Sequence, residues 1–323
     1  MNVIRALAVV AALAAPAFAR AQSDYPRQPI RILVGFPAGG STDVLARVLA
    51  HEARKTLGQD IIIINKGGAA GALAINELIA SPPDGYTIAI TPSSVLTIAH
   101  HFQNVRPDML EKTDALVMAA RQRTGMMTRA DGGPKDFKDF VAQAKANPGK
   151  LSVGIIGPGT MGGILTRAVI DHEKLDVNLV PLNGDAPVAK EVLGGHVTAG
   201  NGSAASFAEH IRAGTMRLLA SGEADRLDVA PDVPNFIELG YPYKGNAIQY
   251  ILAPKGLPPE IRKKLITTLL DAMQTSIFIE TAKKNELYDP KVIAGEELDA
   301  YLLKDRAEIA ALIQKLGIKS EAK

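Results

Sequence analysis

Between residues 30 and 91, short continuous apolar runs alternate with segments whose apolar residues recur at helical spacing. Short continuous apolar runs predict buried strands, and apolar residues at helical spacing, such as Val44, Leu45, Val48 and Leu49, predict amphipathic helices between them. The predicted strands are 30–34, 61–64 and 86–91. A first predicted helix is capped by Ser41 or Thr42 and stops near Gly58, and a second extends from Ala70 to Ala80. Continuous apolar strands joined by helices indicate a parallel sheet that is covered on both faces.

The same alternation returns from about residue 125. Phe137, Phe140, Val141 and Ala144 form the apolar stripe of one predicted helix. Further predicted strands are 151–156, 177–182, 197–201, 216–221 and 248–253, and further predicted helices are 160–172, 186–193, 206–212, a helix from Pro258, and 298–316. The predicted fold class is therefore α/β, with two lobes that are each a mainly parallel sheet flanked by helices. Because the helical C-terminus is expected to pack back on the first unit, lobe 1 comprises 22–123 and 248–323, lobe 2 comprises 124–247, and a cleft separates them.

The N-terminus has the organisation of a secretory signal peptide over residues 1–21. Arg5 precedes an unbroken apolar run over residues 6–15, and Ala17-Phe18-Ala19 and Ala19-Arg20-Ala21 each place small residues where a signal peptidase cleaves. The run is too short to span a bilayer, which needs about 20 apolar residues. The alternative is a buried first helix. Export to the bacterial periplasm follows from the signal-peptide interpretation.

Composition narrows the class of protein. The chain has 323 residues, 47% of them hydrophobic and 22% charged, which is ordinary for a globular protein. It contains no cysteine, so disulfides and thiolate metal sites are excluded. Loss of Arg5 and Arg20 with the signal peptide would leave 34 basic and 34 acidic residues. A balanced charge argues against nucleic acid as a partner.

The segment 35–43 reads GFPAGGSTD between a predicted strand and a predicted helix. A helix N-terminus carries unpaired N–H groups and a partial positive charge, so small anions bind there. Gly39 and Gly40 would expose such groups, and Ser41 and Thr42 add hydroxyls beside the apolar Phe36 and Pro37. Neutral donors alone would hold a carboxylate and release it easily, which suits a carrier. The alternative is an ordinary glycine-rich turn in which Ser41 or Asp43 only caps the helix.

A second glycine-rich loop covers residues 157–163. Gly157, Gly159 and Gly162 fit the dinucleotide fingerprint G-x-G-x-x-G, whose acidic partner would be Asp185. The spacing to Asp185 is loose and Pro158 lies inside the motif, so NAD binding stays an alternative. Elsewhere the sequence has no G-x-S-x-G or H-E-x-x-H motif, and no catalytic residues, metal site or cofactor are predicted.

A set of short motifs resembles the Bug receptors, the periplasmic solute-binding proteins of tripartite tricarboxylate transporters. In chain order they read Tyr25-Pro26, GFPAGGSTDVLAR, LGQ at 57–59, NKGGAAG at 65–71, PDGYT at 83–87, AKANPGKL at 144–151, GGHV at 194–197, PDVP at 231–234 and APKGLP at 253–258. They span nearly the whole chain after the signal peptide. The resemblance implies a periplasmic-binding-protein fold of the Venus-flytrap type.

The resemblance implies that one loop from each lobe holds the ligand's carboxylate through backbone N–H groups and bridging water. The first loop matches residues 36–43, the second matches 157–163, and a third contact region matches the strand end at 91–94. The residues predicted to bind ligand are Phe36, Ala38, Gly39, Gly40, Ser41, Asp43, Ser93, Ser94, Gly157, Gly159, Thr160 and Met161. Asp43 is expected to order its loop, because a carboxylate repels an anion.

Four positions depart from the family pattern. Gly163 stands where a histidine is usual, Leu182 and Asn183 stand where Tyr-Lys is usual, and Ile248 stands where tryptophan is frequent. Residues 102–120 also fit the family poorly. The expectation is nevertheless a monomeric periplasmic receptor, without enzymatic activity, that delivers a small organic acid to inner-membrane permease subunits. The alternatives are an exported NAD-dependent oxidoreductase and a ligand-sensing partner of a signalling system such as a sensor kinase.

Overall fold

Two five-stranded sheets organise the chain, one in each lobe, in a computed structural model that describes residues 25–98, 108–242, 244–245, 247–315 and 317. The strand orders are β2-β1-β3-β10-β4 and β7-β6-β8-β5-β9. Within the described residues, no helix is both long and apolar enough to cross a membrane. The predicted signal peptide, residues 1–21, lies outside the described residues.

The first lobe contains strands and helices from both ends of the chain. Its strands are β1 (Ile30–Val34), β2 (Ile61–Asn65), β3 (Thr87–Pro92), β4 (Thr113–Gln122) and β10 (Ala247–Pro254). Its helices are α1 (Ser41–Leu57), α2 (Ala72–Ala80), α3 (Ser94–Thr97), α8 (Pro259–Met273), α9 (Ser276–Lys284) and α10 (Glu296–Lys315). A short 3₁₀ turn, Ala69–Gly71, precedes α2.

The second lobe repeats this arrangement. Its strands are β5 (Thr124–Arg129), β6 (Ser152–Ile155), β7 (Asn178–Pro181), β8 (Ala199–Ser203) and β9 (Met216–Ser221). Its helices are α4 (Phe137–Ala146), α5 (Met161–Glu173), α6 (Asp185–Leu193) and α7 (Ala204–Arg212).

Four strands of each sheet run in one direction and the fifth runs against them. In the first sheet the exception is β10, which pairs antiparallel with β3 and β4. In the second it is β5, which pairs antiparallel with β8 and β9. The prediction of mainly parallel sheets flanked by helices is therefore confirmed. Strand β5 is the first strand of the second lobe, and β10 is the strand by which the chain returns to the first lobe.

Two connections join the lobes. Strand β4 ends at Gln122 and β5 begins at Thr124, so Arg123 lies between the two sheets. The return connection follows β9 and leads into β10. The division of the chain at 123/124 and 247/248 stays a prediction, and these strand memberships are compatible with it.

Alternating side chains of β1 show how the first sheet is buried on both faces. Ile32 packs with Leu45 and Leu49 of α1 on one face, and Leu33 packs with Ile75 of α2 on the other. Successive strand residues point to opposite faces, so a strand between two helical layers needs apolar residues at its buried positions, and in β1 the exception is the exposed Arg31. Burial of each such side chain stabilises the fold by roughly 1.5–3 kcal/mol.

Most predicted elements are confirmed within a few residues, but strands β4 and β5 and the short helix α3 are missing from the prediction. Residues 115–120 of β4 are apolar and buried. An apolar run of this length has no period that separates strand from helix. Of the segment 102–120, which fits the family poorly, residues 102–107 lie outside the described residues.

Candidate functional site

A cavity of ≈ 30 Å³ lies between the lobes. The first lobe lines it with side chains from the ends of its strands and the start of α1, namely Phe36, Thr42, Pro92, Ser94 and Gln122. The second lobe contributes the start of α5, Asp185 at the start of α6, and Gly202 and Ser203 at the end of β8. The cavity therefore sits where the carboxyl ends of parallel strands meet helix N-termini, the usual ligand position in such sheets.

The N-terminus of α1 differs from the sequence prediction. Its N-cap residue is Gly40, and no side chain caps the helix. Ser41 instead donates its hydroxyl to Asp185 of the other lobe at 2.8 Å, and Thr42 accepts a hydrogen bond from Gln249 at 3.0 Å. The prediction that Ser41 or Thr42 caps α1 is wrong, because both hydroxyls have partners on other elements.

Asp43 orders the first loop. Its carboxylate accepts hydrogen bonds from the Gly39 N–H at 2.9 Å, from Arg47 Nε at 2.8 Å and from Asn65 Nδ2 at 2.9 Å. Burial raises its pKa, but the hydrogen bonds from Arg47, Gly39 and Asn65 outweigh burial and hold the pKa below its usual value. The N–H of Gly39 is thus engaged by Asp43, in line with the loop-ordering role expected of this residue.

The second loop is closed by a capping interaction. Thr160 is the N-cap of α5, and its hydroxyl accepts from the Gly163 N–H at 3.1 Å and donates to the Gly157 carbonyl at 2.9 Å. A Cβ on Gly163 would lie 2.2 Å from that carbonyl oxygen. A side chain at position 163 would therefore require the loop to shift.

Asp185 is the charged side chain of the cavity and was missed as a ligand-site residue. It is 6% exposed, and its Oδ1 accepts from the Ser203 N–H at 2.7 Å. Burial raises its pKa, although Ser203 and Ser41 donate hydrogen bonds to it. The spacing of the glycine motif offered Asp185 as a partner for a dinucleotide ribose, but its carboxylate faces Ser41.

Two buried glutamines connect the helix N-terminus to the hinge strands. Gln122 Nε2 donates to Ser41 Oγ at 3.0 Å, and Gln249 Nε2 lies 3.3 Å from Gln122 Oε1. Gln249 lies within the apolar strand β10, whereas Gln122 is the last residue of β4 and follows Arg121. A buried polar residue within an apolar run is the sequence signal that could have identified Gln249.

The structure separates the twelve predicted ligand-site residues into two groups. Those that line the cavity are Phe36, Ser94, Thr160 and Met161. Ser41 contacts the cavity residue Asp185. The others that do not line it are Ala38, Gly39, Gly40, Asp43, Ser93, Gly157 and Gly159.

Three of these non-lining residues have clear alternative environments. Ala38 and Gly39 are exposed on the loop. The Ser93 side chain is turned into the sheet, where its hydroxyl accepts the Ile248 N–H at 3.4 Å. The cavity face of this strand end is therefore Ser94, and no direct role of Ser93 follows from its position.

The cavity carries no positive side chain among the described residues that line it, and Asp185 is its charged group. The described part of the chain also contains no cluster of three or more His, Cys, Asp or Glu residues arranged for a metal ion. Recognition of an anion here must therefore use backbone N–H groups, hydroxyls and amides.

The chain is similar to proteins of one receptor family. Residues 45–318 match the family described as the tripartite tricarboxylate transporter family receptor. BugT of Bordetella pertussis is 30% identical over 328 residues, covering 99% of this chain and 99% of BugT. The periplasmic binding protein BugD superposes with a TM-score of 0.85 at 25% identity, covering 92% of this chain and 100% of BugD.

One further solved structure shares the fold. MatC from Rhodopseudomonas palustris, solved with bound malate, superposes with a TM-score of 0.82 at 24% identity. The superposition covers 90% of this chain and 100% of MatC.

Proposed function

This chain belongs to the tripartite tricarboxylate transporter receptor family, and we propose that it binds a small organic acid between its lobes in the periplasm and delivers it to a membrane transporter. The family is one of solute-binding receptors and not of enzymes, so the NAD-dependent oxidoreductase is set aside. The receiving partner would be the inner-membrane permease subunits of a tripartite tricarboxylate transporter.

The observation that carries this proposal is the cavity lined by both lobes, at the N-termini of α1 and α5. Helix N-termini offer N–H donors and a partial positive charge to a carboxylate without an ionic partner. Malate, the acid bound to MatC, is of the class that such donors would hold. The ligand-site residues we propose on direct geometry are Phe36, Ser94, Thr160 and Met161, with Ser41 next to them.

Binding requires the lobes to separate. The cavity of ≈ 30 Å³ is far below the volume of about 300–1,000 Å³ of small-molecule sites, so an organic acid cannot enter the closed form. The two connections between the lobes are the places where a hinge motion would occur. The permease would then recognise the closed, liganded form.

A thermal-shift panel of the protein from residue 22 onward tests the ligand class. Dicarboxylates, tricarboxylates, aromatic acids, amino acids and NAD are each added in excess. A ligand at about 1,000 times its dissociation constant stabilises the folded state by about 4 kcal/mol, which raises the melting temperature measurably. A shift with organic acids supports the proposal, and a shift with NAD alone contradicts it.

Small-angle X-ray scattering tests the hinge. The radius of gyration is expected to fall when the acid that gives the largest thermal shift is added at saturation. An unchanged radius would contradict closure of the lobes on the ligand.

A further inference from the structure

Asp185 occupies the position where the first lobe would receive a ligand's carboxylate. It is the first residue of α6 in the second lobe, yet its Oδ2 lies 2.8 Å from Ser41 Oγ, at the first residue of α1. Gln122 Nε2 donates to the same serine at 3.0 Å and lies 3.5 Å from Asp185 Oδ2. The chain thus places one of its own carboxylates at the helix N-terminus that would hold an anion.

The donors around Asp185 are all neutral. They are the Ser41 hydroxyl, the Ser203 N–H and the Gln122 amide. Among the described residues, no Lys, Arg or His forms an ion pair with it, although it is 6% exposed. A buried carboxylate without a cation is unfavourable, so a positive group in the adjoining cavity would be strongly attracted to it.

A second ligand carboxylate at the same place would be repelled. Like charges that are close together in a site of low dielectric constant destabilise each other, and the described residues that line the cavity add no cation to offset Asp185. A dicarboxylate or tricarboxylate is therefore disfavoured at the Ser41 end of the cavity.

The opposite end remains suited to one carboxylate. Thr160, Met161 and Gly162 form the start of α5 and line the cavity. The first turn of this helix contains no acidic residue. Thr160 accepts the Gly163 N–H, so the N–H groups of Met161 and Gly162 are the ones left without a partner within the helix. The cavity therefore has an anion-binding end in the second lobe and an anionic end at Asp185.

We propose that Asp185 is a specificity-determining residue whose carboxylate occupies the place that a second carboxylate of the ligand would take. The ligand is therefore an aminocarboxylate, with a single carboxylate and an ammonium group. Its carboxylate binds at the start of α5 and its ammonium group at Asp185. This inference rests on the proposed function, because it assumes an acid ligand in the same cleft.

Matched ligands test the inference by isothermal titration calorimetry. β-Alanine is compared with succinate, and γ-aminobutyrate with glutarate, because each pair differs only in an ammonium group against a carboxylate. Propionate and butyrate are the ligands without a second charged group. The wild-type protein is expected to bind the amino acid of at least one pair about tenfold or more tightly than both of its counterparts.

Two variants at the same position are compared with a surface control. Asp185→Asn keeps the size of the side chain and Asp185→Ser opens the Ser41 end, so a folding failure of one leaves the other usable. Both are expected to lose the tenfold preference, and Asp185→Ser is expected to gain affinity for the dicarboxylate. Asp176→Asn, which changes an exposed aspartate of the second lobe, should behave as wild type.

The outcomes separate this inference from the proposed function. Tighter binding of succinate or glutarate by the wild-type protein, with selectivity unchanged in Asp185→Asn, would overturn the role of Asp185 and leave the acid receptor standing. Absence of binding to every acid of both panels would overturn both.

Discussion

Arg123 Nη1 and Glu286 Oε2 lie 2.9 Å apart, and this ion pair links the hinge to the far end of the first lobe. Arg123 separates β4 from β5, and Glu286 follows α9. The second oxygen of Glu286 accepts the N–H of Val229 in the second lobe at 2.7 Å. One carboxylate thus joins the first lobe, the hinge and the second lobe.

Removal of Glu286 is expected to destabilise the protein strongly. The Glu286 side chain is 1% exposed and that of Arg123 is 19% exposed, so Glu286→Ala leaves a largely buried cation without its partner. The expected loss in free energy of unfolding is about 3–5 kcal/mol, measured by urea denaturation. Asp228 also pairs with Arg123, at 3.4 Å, but its side chain is 83% exposed. Asp228→Ala should therefore cost less than about 1 kcal/mol, and an equal loss in both variants would contradict this argument.

Glu223 is expected to make stability depend on pH. Its side chain is buried beside Arg121 at 3.2 Å, and burial raises its pKa from 4.5 to about 7. Because the pKa of Glu223 is higher in the folded state, the protonated side chain contributes its full stabilisation of the fold below the unfolded pKa of 4.5. This contribution is lost as the pH rises through about 7. The loss for this group is about 3 kcal/mol.

Glu223→Gln should remove this contribution. Urea denaturation of the variant at pH 5 and pH 8 is expected to give a smaller drop in stability than in the wild-type protein. Glu280→Gln, at an exposed position of α9, serves as the control and should keep the wild-type dependence. A drop of the same size in Glu223→Gln would assign the pH dependence to other groups.

Gly163 is expected to tolerate no side chain. Its Cβ would lie 2.2 Å from the Gly157 carbonyl oxygen, so Gly163→Ala must displace the second loop. We expect a loss of about 1–3 kcal/mol and weaker ligand binding. Gly40→Ala is the matched control, because the Cβ there would meet its nearest atom at 3.5 Å. Thermal unfolding compares them, and similar melting temperatures would refute the close-approach explanation.

Asp43 is expected to matter more than its partner Arg47. Asp43→Ala removes the acceptor of three hydrogen bonds and leaves the Gly39 N–H and the Asn65 amide without this acceptor. The expected cost is about 1–3 kcal/mol. Arg47 is 55% exposed on its side chain, so Arg47→Ala should cost less than about 1 kcal/mol. Differential scanning calorimetry measures both, and a larger loss in Arg47→Ala would show that the ion pair dominates.

Local patterns in the sequence determined the alternation of strands and helices, the family resemblance and the two glycine-rich loops. Thr160 at the start of α5 illustrates this, because a cap acts on an N–H only three residues away. The strands 30–34 and 216–221 are predicted with the bounds that the structure gives, since burial on both faces requires apolar residues at most of their positions.

Only the tertiary structure decided what each polar group in the cleft contacts. Ser41 and Asp185 are 144 residues apart, and a hydroxyl at a helix start looks like a cap until the other lobe is placed against it. The same applies to Gln122 and Gln249, which are 127 residues apart. Hydrogen bonds of this kind depend on how two lobes close, whereas periodicity and caps depend on neighbours along the chain. The sequence by itself therefore determined the class of receptor, and the packing of the lobes decided which polar side chains face the cleft.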